Sequence, residues 1–201
     1  MKDRLLLIFV KNPVLGTAKT RLAASIGDQK ALDIYNFLLQ YTATLTQKVE
    51  TERRVLYSTE VEASDLFDSA HFQKGIQEKG TLGEKMQAAF TQAFEEGYKR
   101  VLIIGSDCYE LHPSIVEAAF EALEKQSFTI GPAKDGGYYL LGMRQLESAV
   151  FQHKKWSTNR VYQDTIIDFE VLGYPYEVLP TLSDIDYLED LPQELKIQFG
   201  V

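Results

Sequence analysis

Apolar and polar positions along the chain fall into two alternating registers. Leu5–Val10 (LLLIFV) is an unbroken apolar run, as a strand buried on both faces would be. Ala31–Val49 then places Leu32, Tyr35, Leu38, Leu39, Thr42 and Leu45 at helical spacing. Val55–Ser58 predicts a short strand, and Leu82–Tyr98 a helix with Met86, Ala89, Phe90, Ala93 and Phe94 on one face. Val101–Ile104 is a second fully apolar strand. Ser114–Lys125 predicts a helix opened by a capping box, Ser114 with Glu117. Phe128–Gly131 and Tyr138–Leu141 predict strands split by a glycine-containing turn. Thr158–Phe169 predicts a helix, Tyr176–Leu179 a strand, and Tyr187–Gln198 a last helix. Strands alternating with helices imply an α/β fold, with a mainly parallel sheet covered on both faces. Such sheets bind ligands beyond the carboxyl ends of their strands, so chemistry is sought in the residues just after each strand.

Composition narrows the classes. The 201 residues suit one domain, 1–201, with no repeat or low-complexity tract. A formal net charge of −8 argues against general binding of nucleic acid or an anionic membrane, while leaving room for a local basic pocket. The single cysteine, Cys108, excludes an internal disulfide and any cysteine-based metal site, which suits a reducing compartment. The apolar run before Lys11 is too short to span a membrane and no cleavage site follows it, so a cytoplasmic location is expected.

Four strand exits and one further segment carry candidate chemistry. After the first strand, Lys11, Lys19 and Arg21 gather around Pro13 and Gly16. A phosphate-cradling G-x-x-x-x-G-K-[ST] loop is absent, because Pro13 and Ala18 stand at its glycine positions. Three cations beyond a central strand still suit a polyphosphate, Lys as a point charge and Arg as a fork. The same residues also suit a solvated basic loop. After Val101–Ile104 comes Gly105-Ser106-Asp107; its carboxylate fits either a divalent cation or an ordinary turn. Gly131–Tyr139 (GPAKDGGYY) has more glycine and proline than a hairpin turn needs, so close approach of a ligand to backbone is one explanation. In Ser183–Asp190, Asp186 with Glu189 reads as a helix cap or as a second metal carboxylate. Finally, Gln77–Met86 leads into a helix through a second capping box, Thr81 with Glu84. Gly80 and Gly83 leave room there for a flat ring, and Gln77 offers an amide that matches a base edge.

In combination these stretches resemble a bacterial glycosyltransferase-like family that includes arsenosugar-biosynthesis glycosyltransferases. The matching residues are Lys11-x-Pro13-x-x-Gly16-x-x-Lys19-Thr20-Arg21, Gln77…Gly80-x-Leu82-Gly83-x-x-Met86, Gly105-Ser106-Asp107, Asp135-Gly136-Gly137-Tyr138-Tyr139 and Asp184-Ile185-Asp186. The pattern is more distantly similar to 2-phospholactate and molybdenum-cofactor guanylyltransferases. The resemblance covers nearly the whole chain and implies the GT-A fold of the nucleotide-diphospho-sugar transferases. It implies that Lys11, Pro13, Gly16, Lys19, Thr20 and Arg21 wrap nucleotide phosphates, with Ser106 beside them, and that Gln77, Gly80 and Gly83 contact the base. Asp107 and Asp186 would hold Mg²⁺ (or Mn²⁺), and Asp135, Gly136, Gly137 and Tyr138 would face the acceptor. Lys19, Arg21, Asp107 and Asp135 would be catalytic. Tyr109 departs from the family pattern, which usually has Pro there. Trp156-Ser157-Thr158 matches a family motif that has no derived role.

Two reactions fit the implied site. One is nucleotidyl transfer from an NTP to a small phosphorylated or carboxylated acceptor, which the density of cations favours. The other is glycosyl transfer from a nucleotide sugar, with Asp135 activating an acceptor hydroxyl. A non-catalytic nucleotide-binding protein on the same fold is the third possibility.

Overall fold

The structure is a computed structural model that describes residues 3–62 and 65–201. Among the described residues, seven strands form one sheet in the order β3-β2-β1-β4-β6-β5-β7. They are β1 (Arg4–Val10), β2 (Glu52–Tyr57), β3 (Gln73–Ile76), β4 (Arg100–Ile104), β5 (Phe128–Pro132), β6 (Tyr138–Met143) and β7 (Tyr176–Val178). β1 lies parallel to β2 and β4, with Leu5 opposite both Glu52 and Val101, and β3 lies parallel to β2. β6 runs antiparallel between β4 and β5, and β7 closes the far edge parallel to β5. The fold is therefore mixed α/β with a mostly parallel sheet.

Side-chain alternation along β1 builds two cores, one on each face. Leu6, Ile8 and Val10 face Tyr35, Leu39 and Ala43 of α2 (Asp28–Gln47) and Val116, Ala119 and Phe120 of α4 (Pro113–Ala122). Leu5 and Leu7 face Met86, Phe90 and Ala93 of α3 (Leu82–Glu95) and Phe169 of α5 (Val161–Leu172). Leu5–Ile8 are wholly buried, which explains why the run contains no polar residue. Each such side chain contributes about 1.5–3 kcal/mol of transfer free energy.

Five local expectations change. The residues after the first loop form a short helix, α1 (Thr20–Ile26), broken from α2 by Gly27. β3 was not anticipated, because QKGI is a polar edge strand without the alternation of a half-buried one. Helix α5 starts three residues later than its apolar spacing suggests and runs to Leu172. The expected capping box of Ser114 and Glu117 does not form. His112 is the cap residue with Pro113 at the first helical position, and Glu117 instead accepts from Arg4 and from the Glu50 amide, each at 2.8 Å. The last helix is split: Leu188–Asp190 makes a 3-10 turn, and α6 (Gln193–Phe199) follows Pro192, which lacks the amide to continue it. The capping box of Thr81 and Glu84 does form, with the Thr81 amide donating to Glu84 at 2.7 Å.

Candidate active site

The carboxyl ends of β1 and β4 and the chain beyond β7 converge. After β7 the backbone runs past β5, with Leu182 N bonded to Pro132 O at 3.1 Å, and then reaches β4, where Ile185 N donates to Asp107 O at 3.0 Å. That last bond places Asp186 beside Asp107. The Asp186 side chain is free of capping duty, because Asp190 turns back and accepts from the Asp186 and Tyr187 amides at 3.0 and 2.7 Å. The cap expected at Asp186 and Glu189 is shifted by one residue: Tyr187 is the cap residue and Asp190 the acid of that turn.

Lys19 sits between the two carboxylates. Its Nζ lies 3.0 Å from Asp107 Oδ2 and 3.1 Å from Asp186 Oδ1, and its side chain is only 4% exposed. Burial pulls its ammonium pKa down, but Asp107 and Asp186 outweigh burial, so the net shift is upward. Its backbone is left-handed, φ 52 and ψ 44, at the entry to α1. Non-glycine residues pay about 1–2 kcal/mol for that conformation, and it persists where the surroundings over-determine it. Arg21 donates to Asp186 Oδ2 at 3.1 Å and lies over the Tyr187 ring at 5.7 Å, with most of its side chain still in solvent.

Asp184 completes the cluster. Burial first, and then the charges of Asp107 and Asp135, push its carboxyl up to about 7, against the opposing pull of Lys19. Four carboxylates (Asp107, Asp135, Asp184 and Asp186) therefore share a field with two cations, Lys19 and Arg21. When all are ionised, two negative charges remain uncompensated. Oxygen donors of this kind suit a hard divalent ion, and Mg²⁺ takes one or two carboxylates together with substrate phosphates. Among the described residues no group of three or more aspartate, glutamate, histidine or cysteine side chains is placed so that it could hold a metal ion.

The remaining expected residues spread around this centre. Ser106 is buried and its hydroxyl lies 3.3 Å from Tyr35 Oη. The same Tyr35 oxygen accepts from Lys11 N at 2.9 Å and donates to Lys11 O at 3.0 Å, so one tyrosine fixes the start of the first loop to the β4 exit. Burial and the Asp107 charge hold the Tyr35 hydroxyl well above its usual range. The Lys11 side chain is exposed and, with Pro13, lines a cavity of about 210 Å³ on the α2 side. The three cations of the opening loop therefore do not cluster: two are paired with carboxylates and the third points elsewhere. Gly16 lies in the exposed turn between Pro13 and Lys19, and Thr20 opens α1.

In the segment expected to contact the base, Gln77 Nε2 donates to Val10 O at 3.1 Å and to Leu56 O at 2.9 Å. Both amide hydrogens are thus spent on the ends of β1 and β2. The ring that fills the space at Gly83 belongs to the protein: a methyl there would fall 2.4 Å from the Trp156 indole. On the acceptor side, Asp135 Oδ1 accepts from Gly137 N at 2.8 Å in an Asx-turn. A methyl on Gly136 would lie 2.1 Å from Asn159 O, and one on Gly131 would strike the Tyr139 ring. Internal packing thus accounts for those two glycines. Tyr138 Oη contacts Met86 Sδ at 3.7 Å. Tyr109 packs on Phe37 and Tyr41 of α2 and serves as a hydrophobic anchor where Pro was expected. Burial raises the Cys108 thiol far from reactivity, as its packing position implies.

Sequence reasoning missed three residues of the site. Asn12 is 3% exposed and staples the first loop to the β2 exit, accepting from Thr59 N and Oγ1 at 3.0 and 2.8 Å and donating to Glu60 O at 2.8 Å. Tyr35 looked like one more apolar position of α2. Asp184 stood two residues from Asp186 with nothing in its spacing to separate the two. A buried polar side chain inside a loop was the available signal for Asn12, but burial is not visible without the fold.

Comparison with known structures supports the fold. The chain is similar to a provisionally named nucleotide-diphospho-sugar transferase from Desulfovibrio desulfuricans G20, with 31% identity over 93% of this chain and 84% of that one and a TM-score of 0.87. The inositol-1-phosphate CTP transferase from T. maritima shares 14% identity over 100% and 95% of the two chains, TM-score 0.59. The 4-diphosphocytidyl-2C-methyl-D-erythritol synthase from Anaerococcus prevotii DSM 20548 shares 13% over 94% of each, TM-score 0.63. At those identities the last two speak for the fold alone. None of the three is named as an arsenosugar enzyme. No curated protein matches the chain. Residues 41–158, more than half of the chain, match the family described as an uncharacterized protein conserved in bacteria (DUF2064), and the chain belongs to that family.

Proposed function

We propose that the chain is a divalent-metal-dependent nucleotidyltransferase, which moves a nucleoside monophosphate group from an NTP to a small phosphorylated or carboxylated acceptor. The observation that carries this reading is the Lys19 ammonium held between Asp107 and Asp186 at a strand-end junction. Asp107 and Asp186 are the residues that would hold Mg²⁺ (or Mn²⁺), and the ion would neutralise phosphate charge as the transfer proceeds. Lys19 has a flexible stem, so its ammonium can leave the carboxylates for a donor phosphate without moving the backbone. Arg21, half in solvent, can offer its fork to the departing pyrophosphate. Gln77, with both amide hydrogens committed to Val10 O and Leu56 O, would offer only its oxygen to the base. The acceptor oxygen forms a bond to the α-phosphorus as the bond to pyrophosphate breaks. An anionic acceptor oxygen needs no base for this step, so positioning and electrostatics supply most of the catalysis.

A second reading, glycosyl transfer from a nucleotide sugar, is favoured by one specific observation. Asp135 and Asp184 add carboxylates beyond the pair that a metal would use, and a neutral acceptor hydroxyl needs such a base. The arsenosugar branch of the resemblance belongs to this reading. A Mg²⁺-dependent survey of the NTPs and common nucleotide sugars separates the two, with pyrophosphate released in the first and a nucleoside diphosphate in the second. Silence with every donor, joined to a lack of Mg²⁺-dependent nucleotide binding, would leave only a non-catalytic role. Asp107→Asn should weaken Mg²⁺-dependent nucleotide binding in calorimetry by about tenfold or more, the order of a lost charged ligand; unchanged binding would remove Asp107 from the metal site.

A further inference from the structure

We propose that Trp156 is a positioning residue that sets the donor-side segment 77–83 against the acceptor-side loop 133–138; this rests on the transferase reading above. Residues 152–160 form a strap between the 3-10 turn at Ser148–Phe151 and α5. The strap touches both sides of the site. At one point the Trp156 indole lies on Gly83 in the first turn of α3, where even a methyl would come within 2.4 Å. That turn is tied by the Thr81–Glu84 box to Gly80, whose own methyl would meet Glu84 Oε2 at 2.6 Å. At another point Asn159 packs on Gly136, and Tyr162 N donates to Gly136 O at 2.9 Å. The strap therefore spans the segment expected to face the base and the loop expected to face the acceptor.

The strap is held in an uncommon shape. His153 and Ser157 are both left-handed, φ 56 and 61, although neither is glycine. Surroundings must over-determine such residues. The restraints are visible: Lys154 pairs with Asp168 of α5 with a side chain 2% exposed, and Thr158 Oγ1 donates to Lys155 O at 2.8 Å. Ser157 follows Trp156 directly, so the left-handed turn presents the indole to α3. Trp156 also packs against the core on the α3 and α5 face, which makes the indole a rigid spacer. Rigid spacing matters because a misplacement of about 1 Å between reacting groups can cost on the order of a hundredfold in rate. Trp156 is the single tryptophan of the chain, and its contact with Gly83 and its place in the strap are the routes by which it acts on the two segments.

The test compares Trp156→Ala, Trp156→Phe, Gly83→Ala and the double variant Gly83→Ala/Trp156→Ala. In the free protein, amide exchange in Trp156→Ala should rise about tenfold both at residues 77–86 and at 133–138, while β1 and β4 stay protected. Trp156→Phe should restore most of the protection. Gly83→Ala should mimic Trp156→Ala, because its methyl displaces the indole, and the double variant should be no worse than Trp156→Ala alone. Faster exchange beside residue 83 only, or a silent Gly83→Ala, overturns the coupling. With the donor found in the survey, kcat should fall about tenfold while calorimetric nucleotide stoichiometry stays that of the unmodified protein. A stoichiometry that falls in step with kcat means lost folded protein and also overturns the proposal. If no donor reacts, the transferase reading fails, and the exchange result still decides whether the strap couples the two segments.

Discussion

Lys19→Met isolates the charge at the centre of the site. Methionine keeps a long unbranched stem and experiences the same left-handed backbone, so the ammonium is what is lost. Two contacts disappear, at 3.0 and 3.1 Å. At an effective dielectric of about 20 each has a gross Coulomb energy of about 5 kcal/mol. Two terms cut this down. Asp107 and Asp186 are 41% and 34% exposed, so water screens both contacts. The desolvation of the buried ammonium is also recovered when it is removed. Against that, three carboxylates of the cluster lose a neighbouring positive charge. A net loss of about 2 kcal/mol in metal-free protein follows, or about 4–8 °C in Tm for a chain of this size. The sign with metal is the sharper part. Lys19 pairs with the two carboxylates that would hold a divalent ion under the proposed function, so removing Lys19 should strengthen binding of the bare ion. Excess Mg²⁺ should raise the Tm of Lys19→Met more than that of the unmodified protein; at a hundred times its own Kd the ion stabilises the variant by about 2.7 kcal/mol, or about 5–11 °C. Scanning calorimetry with and without Mg²⁺ reads both effects. An unchanged metal-free Tm, or an equal Mg²⁺ increment in the two proteins, refutes the shared-oxygen reasoning.

Asp184 sets a pH dependence: its carboxyl is raised to about 7 when folded, while an unfolded aspartate titrates near 3.9, so its contribution is fully present below about pH 4 and lost as pH climbs through about 7. Asp184→Asn should flatten the Tm profile across that window, and parallel profiles for the two proteins would refute the assignment. Asn12→Ala removes the bonds from Thr59 N and Thr59 Oγ1 and the bond to Glu60 O, whose residues are exposed to water, so urea denaturation should show a loss of about 1–2 kcal/mol; less than about 0.5 kcal/mol would mean water replaces the staple. Gly136 and Gly97 share a φ near +90, but a methyl meets Asn159 O at 2.1 Å at the first and nothing within 4 Å at the second. Gly97→Ala should therefore cost about 1–2 kcal/mol and Gly136→Ala about 2 kcal/mol more, and equal losses would show that the Asn159 contact yields.

The central strands were legible because their burial is two-sided and needs no partner to be named. Leu5–Val10 and Val101–Ile104 admit no polar residue, and they sit side by side in the sheet. β3 was not legible, since Gln73–Ile76 takes its strand conformation from pairing with β2 and shows no pattern of its own. Asp107 was legible as a strand-exit carboxylate, and Asp186 as one of two roles. Choosing between those roles required Asp190, because acids at Asp186, Glu189 and Asp190 all have capping spacing. The three cations read as one cluster because they are close in sequence. Lys19 and Arg21 do meet at Asp186, while Lys11 is exposed beside another cavity, and nothing in the residue types forecasts that division or the positive φ at Lys19. The glycines misled in the same way. Gly83 and Gly136 do mark close approaches, but the approaching groups are Trp156 and Asn159, far along the chain.

The charge pattern links the resting structure to its proposed work. An uncompensated excess of acid at a strand-end junction would be self-repelling, and Lys19 reduces it without closing the site. Lysine does this better than arginine would in the same slot, because a compact ammonium on a flexible stem can be handed from carboxylate to phosphate, whereas a planar fork would hold both carboxylates rigidly. Arg21, by contrast, is oriented by the Tyr187 ring and Asp186 and keeps most of its side chain in water, where a leaving group departs. The two cations thus differ in burial. The buried one sits between the two carboxylates that would hold a metal ion in the proposed reaction, where an incoming phosphate would compete with them for its ammonium, and the exposed one lies at the rim. Under the proposed function, a site built on that division would suit a ligand that brings its own cation and its own anions together, which is the chemistry of a metal-bound nucleotide.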